Sequence, residues 1–133
     1  MAARHFTVEE ANTLLPKLRG ILREIQQKRR ELADRQHKME AIRRHATANG
    51  GKQPREEFLQ LKQEAEFIVD ELKGEIRKTD EMGILIKDLD AGLVDFPTIR
   101  DGQEVLLCWK LDEPEVGYWH GMEEGFRERK PIR

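Results

Sequence analysis

Apolar residues in the first two thirds of this chain recur at helical spacing, whereas in the last third they alternate as they do in strands. The helical pattern opens at Phe6. Thr7 followed three residues later by Glu10 makes a capping box, and Phe6 just outside it suits a hydrophobic staple, so a helix should begin near Thr7. Pro16 lacks a backbone donor and crowds the preceding turn, which predicts a kink, or a short helix ending near Leu15 before a long one resumes. Leu15, Leu18, Leu22, Ile25, Leu32, Met39 and Ala46 then share one heptad seam, interrupted by Arg29, Gln36 and Arg43. Residues Thr47 to Gln53 are turn material, and Pro54 suits the first position of a second helix. That helix carries Phe58, Leu61, Ala65, Ile68, Leu72, Ile76 and Met82 on one face.

Two long helices with so short a connection fold back as an antiparallel hairpin, in which residue i faces roughly residue 101 − i. Charge agrees with the pairing. Arg4 to Arg44 holds eleven Lys and Arg against six acids, and Lys52 to Glu81 holds six against nine, so the helices complement each other at +5 and −3. Thr7 to Lys17 overhangs this hairpin, and Leu14, Leu15 and Leu18 must pack on whatever follows Gly83.

After Gly83, Ile84 to Ile86, Val94 to Ile99, Glu104 to Leu111 and Val116 to His120 read as strands. Asp101-Gly102 signals a two-residue type I′ hairpin, and Pro97 weakens its strand to an edge or irregular one, with a bulge there as the chief uncertainty of register. That turn sets Asp95 opposite Cys108, Phe96 opposite Leu107 and Val94 opposite Trp109. A four-residue second turn at Asp112 to Glu115 would set Trp109 opposite Tyr118, Cys108 opposite Trp119 and Leu107 opposite His120. His120 then lies on the apolar core face, with Trp109 and Tyr118. Asp95, Cys108 and Trp119 lie on a wetter one. The predicted fold is α+β in a single domain: a capped N-terminal segment and long antiparallel two-helix hairpin (1–82), with a small three- or four-stranded antiparallel sheet at its base (83–133).

Composition narrows the function. Acids and bases are interspersed at a net charge of −2, which argues against a protein that grips nucleic acid or anionic lipid through its overall charge. The basic runs Lys28-Arg29-Arg30 and Arg43-Arg44 read as solvated or partner-facing helix surface. One cysteine excludes an intrachain disulfide, the first residues lack the apolar run of a signal peptide, and no stretch approaches a membrane span, so a cytoplasmic location is expected.

The opening FTVEEANTLLPKLR, the segment IKDLDAGLVDFPTIRDGQEVLLCWKLDEPEVGYWH and the close GFRERKPI resemble a bacterial family known only as domain of unknown function 2203. The resemblance spans nearly the whole chain. It implies a small cytoplasmic protein with a helix-rich front and an aromatic tail, and brings no activity, substrate or catalytic residue with it.

Candidate chemistry gathers in the last third. His120 and Glu123, or Glu124, have a spacing that aligns two metal ligands if the chain turns after Gly121, and Asp95 or Cys108 from a neighbouring strand could complete the set. The plainer reading is a core histidine bonded to a carboxylate or carbonyl. With its register on the opposite face from His120, Cys108 reads as a small buried apolar group rather than a nucleophile. Asp88, Asp90 and Asp95 suggest a carboxylate site, although Asp88 and Asp90 serve equally as loop residues. Trp109, Tyr118 and Trp119, with Arg100, could hold a flat ligand or form the core. No nucleotide-loop, kinase or serine-hydrolase pattern is present.

A bare two-helix arm leaves apolar stripe in water, a cost relieved by pairing with another arm. The expectation is therefore a noncatalytic interaction or scaffold protein, a homodimer joined through Leu32, Gln36, Met39, Ile42 and Leu61, with no cofactor. The alternative is a small-ligand or metal-binding protein, an enzyme among the options, using a divalent ion or other ligand at the aromatic and acidic end of the sheet.

Overall fold

A computed structural model describes residues 4–48 and 55–133. Helix α1 spans Val8–Ala48 and α2 spans Arg55–Met82. Five strands follow: β1 (Leu85–Asp88), β2 (Leu93–Arg100), β3 (Gln103–Lys110), β4 (Tyr118–Gly121) and β5 (Lys130–Pro131), with a 3-10 turn at Phe126–Glu128. They form one antiparallel sheet in sequence order. The expected turn before α2, and Pro54 at its start, fall largely outside the described residues.

The capping box at the start of α1 is complete, since the Glu10 amide donates to Thr7 Oγ1 at 3.0 Å and the Thr7 amide donates to Glu10 Oε1 at 2.9 Å. Phe6 is anchored by its amide donating to the Pro97 carbonyl at 2.8 Å, and its ring meets Phe96 edge-on at 5.4 Å. The helix does not end near Leu15. It continues through exposed Pro16, because the buried residues on either side, Ala11, Leu15, Leu18 and Leu22, hold both segments against one core. Cross-helix ion pairs fix the hairpin near the expected offset: Lys28 to Glu71 at 3.1 Å and Arg35 to Glu64 at 2.9 Å. Gly83, at φ 82°, stops α2 and lets the Ile84 amide reach back to the Thr79 carbonyl.

One core joins the two parts. Leu15, Leu18, Leu22 and Ile25 of α1 and Ile68 and Leu72 of α2 cluster with Val94, Phe96, Leu107 and Trp109 of the sheet. The overhang thus covers one sheet face, as its unpaired leucines require.

The β2–β3 hairpin has the expected register, with Asp95 opposite Cys108 and Phe96 opposite Leu107, and positive φ at both Asp101 and Gly102 as a type I′ turn demands. Pro97 carries no bulge. It lies beyond the end of β1, where its strand needs no second donor, and the irregularity falls between Ile86 and Asp88.

The second pairing is one residue off the expectation. Cys108 faces Tyr118, Leu107 faces Trp119 and Leu106 faces His120, in place of Trp109 with Tyr118, Cys108 with Trp119 and Leu107 with His120. The connection is no four-residue turn. Glu113 folds inward, its carbonyl accepting from Trp109 Nε1 at 3.0 Å and its carboxylate from the Lys110 amide at 2.9 Å. Arg19 of α1 donates to the Glu113 and Pro114 carbonyls, and Asn12 Oδ1 accepts from the Val116 amide at 2.8 Å. Tying the loop to α1 shifts the strand by one, and a one-residue slip exchanges the two faces of β4. His120 and Tyr118 therefore join Asp95 and Cys108 on the face away from the helices, and Trp119 moves to the core side. The fifth strand, also beyond the expected three or four, arises where Lys130 and Pro131 return beside Trp119 and Tyr118.

Candidate functional site

The corrected register brings three chemically capable side chains together. Asp95, Cys108 and His120 stand on adjacent strands β2, β3 and β4, on one face, and each is no more than 2% exposed. One ligating atom from each lies within 4.8 Å of the other two. Such burial is unusual for an acid beside a histidine, and the pair must be satisfied from within.

The histidine's orientation defines what the cluster can do. His120 Nδ1 lies 2.9 Å from the Gly121 carbonyl, so it carries the proton and donates it there. Nε2 faces Asp95 Oδ1 at 3.2 Å. Two acceptors cannot share that gap without a proton or a cation between them. Burial, and then the Asp95 carboxylate beside it, push the Cys108 thiol up to about 12 against the opposing Arg129 guanidinium, so it stays protonated unless a further positive charge stands beside it. A bare thiolate nucleophile is not what this pocket favours.

The C-terminal segment supplies the surroundings. Arg129 interacts with the Cys108 thiol, is clamped by both Glu113 oxygens at 3.0 Å, and stacks over Tyr118 and Phe126 at 4.1 Å from each ring centroid. Lys87 Nζ lies 4.0 Å from Asp95 Oδ2. Glu124 receives the Lys130 ammonium and the Gly121 amide, both at 2.7 Å, and these, Lys130 first, hold its carboxyl below the usual carboxylate range.

The remaining candidates separate. Glu123 is exposed and outside the cluster, and Glu124 is bonded to Lys130 and the Gly121 amide instead. Asp88 accepts from the amides of Asp90 and Ala91, and Asp90 pairs with Arg29 at 3.1 Å, so both serve the loop and not the Asp95 site. Trp109 is fully buried. Trp119 is flanked by Arg100 at 4.8 Å and Lys130 at 4.7 Å, leaving Tyr118 as the aromatic beside the cluster. On the arm, Gln36 is exposed, Leu32, Met39 and Ile42 are half-buried, and Leu61 is buried within its own chain. Sequence reasoning passed over Arg129 and Glu113. Their separation along the chain gives no spacing signal, and only the unforeseen fold of the loop joins them.

No helix among the described residues is long and apolar enough to cross a membrane. No curated protein and no solved structure matches the chain. Residues 4–132, almost the whole chain, match the family described as uncharacterized conserved protein (DUF2203), and the protein belongs to that family.

Proposed function

We propose that this is a metal-binding protein, and that Asp95, Cys108 and His120 hold a divalent ion of the zinc type. The observation that carries this reading is the gap between His120 Nε2 and Asp95 Oδ1, 3.2 Å wide and buried. Two nitrogen and oxygen ligands on a tetrahedral zinc stand about 3.3 Å apart, given bonds of roughly 2.0 Å. The Nδ1 contact with the Gly121 carbonyl supports it, because a ligating histidine ordinarily donates its other ring N–H to a carbonyl or carboxylate. One sulfur, one nitrogen and one oxygen donor suit a borderline-soft ion better than magnesium or calcium. The ion would replace the proton of the thiol, so apparent affinity should fall as pH is lowered. A ligand thiol must stay reduced, which favours the cytoplasm as its location.

Elemental analysis of protein prepared without a histidine tag tests the reading. About one metal ion per chain is expected after zinc loading and dialysis, as one three-donor site implies. It should be lost in His120→Ala, Cys108→Ser and Asp95→Asn, with circular dichroism unchanged. Zinc that fails to bind in competition with a chromophoric chelator would remove the proposal.

A second reading concerns the arm. Phe67 is 64% exposed and Leu59 48% exposed on α2, with half-buried Leu32, Met39 and Ile42 on α1, which favours self-association of the hairpin as a homodimeric coiled coil. Light scattering should give a dimer that Leu32→Asp shifts towards monomer. A wild-type monomer at high concentration would exclude it.

A further inference from the structure

We propose that the metal held by Asp95, Cys108 and His120 keeps one coordination position for a small exogenous monoanion, drawn in by Arg129 and Lys87; this rests on the metal-binding reading. Among the described residues only these three of the His, Cys, Asp and Glu side chains converge. The acid nearest in role, Glu124, is already taken by the Gly121 amide and Lys130. A tetrahedral ion with three protein ligands has a fourth position to fill, the arrangement of sites that bind or activate small molecules rather than of closed structural sites.

Charge decides what fills it. A divalent ion with the Asp95 carboxylate and the Cys108 thiolate is neutral. Arg129 with Glu113 and Lys130 with Glu124 are also neutral pairs. Lys87 is left over, 4.0 Å from Asp95 and 46% exposed, so the immediate surroundings carry one positive charge. In a site of low dielectric that surplus favours a single negative charge on the fourth ligand. Arg129 cannot swing away to neutralise something else, being clamped by Glu113 and held over Tyr118 and Phe126. It is a fixed cation beside Cys108.

Access is through side chains and not backbone. The cluster lies on the sheet face opposite the helices, and Leu85, Tyr118 and Phe126, at or near its rim, are all exposed. The anion must be small, since the three ligands themselves are buried.

Cobalt(II) loaded into the full chain reports both claims separately. Visible d–d bands after one equivalent of cobalt show the metal in the site, and a protein without them overturns the metal-binding reading itself. Sodium azide should then shift the bands along a saturable isotherm. Lys87→Gln, at an exposed position that leaves the fold undisturbed, should keep the bands and weaken azide several-fold, and Arg129→Gln by about tenfold or more, as loss of a nearby fixed charge implies. Bands that azide leaves unchanged overturn the open position while sparing the metal site. Undiminished azide affinity in both variants overturns the role of the two cations.

Discussion

Along the outer arm the two helices meet through ion pairs such as Arg35 with Glu64, and their apolar seam is half in water at Leu32, Met39 and Ile42. At the base, the same α1 stripe is fully buried at Leu18, Leu22 and Ile25, and the central strands are covered on both faces. A single helix thus passes from a region held by solvent-screened charge to one held by apolar packing, and its composition changes with it: residues 8–27 carry seven large aliphatic and six charged side chains, residues 28–48 three and ten. What stands opposite differs as well. Two helices alone cannot enclose a stripe, whereas two helices and a sheet can. Tight packing is accordingly concentrated in the base.

The largest test of that contrast is cavity formation. Leu18→Ala should cost about 2 to 5 kcal/mol in denaturant unfolding, while Ile42→Ala on the outer arm should cost less than about 1 kcal/mol. Equal losses would mean that the arm is as tightly packed as the base, as a buried dimer interface along it would make it.

Zinc should sharpen the same line. At free zinc of about one hundred times its dissociation constant, binding to the folded state alone adds roughly 2.7 kcal/mol. Amide exchange should slow across β2, β3 and β4, where the ligands stand, and stay fast in the arm beyond Leu32 if local opening there is independent of the base. Slowing of equal size to the end of the arm would show that the molecule opens as one unit.

The parts legible in the sequence were those set by local rules. The capping box at Thr7 and the Asp101-Gly102 turn each depend on a few neighbouring residues, and the hairpin offset on the short connection between its helices. Asp95 opposite Cys108 followed from the turn alone. His120 was misplaced because the loop before it is shaped by Asn12 and Arg19, about a hundred residues earlier, which no local pattern encodes. The cost of that single-residue error was large: it set Cys108 and His120 on opposite faces and hid the three-residue cluster. Of the two outcomes that Pro16 suggests, the early helix end does not occur, since burial around it outweighs the lost hydrogen bond.

The smallest effect separates the regions by how each holds a carboxylate. Glu10, at the base, is kept below the usual range first by the Thr7 amide and then by the Thr7 hydroxyl. Asp34, on the arm, is depressed first by its bond to Lys38, with Arg35 adding to it. Both carboxyls have lower pKa values folded than unfolded, so each contributes stability that is present above the ordinary carboxylate range and lost as pH falls through the folded value. Glu10→Gln and Asp34→Asn should each remove part of the acid-side slope of stability against pH. Salt distinguishes them. A backbone N–H is a fixed dipole in a closed capping box, whereas Lys38 is a mobile charge in water, screened within about 3 Å at 1 M salt. In high salt the Asp34 part of the slope should vanish and the Glu10 part should survive, measured as the difference between each variant and the parent in melts from acid to neutral pH. If both parts vanish together, the N-terminal cap is as loosely held as the arm, and the boundary drawn between the two regions lies further into the sheet.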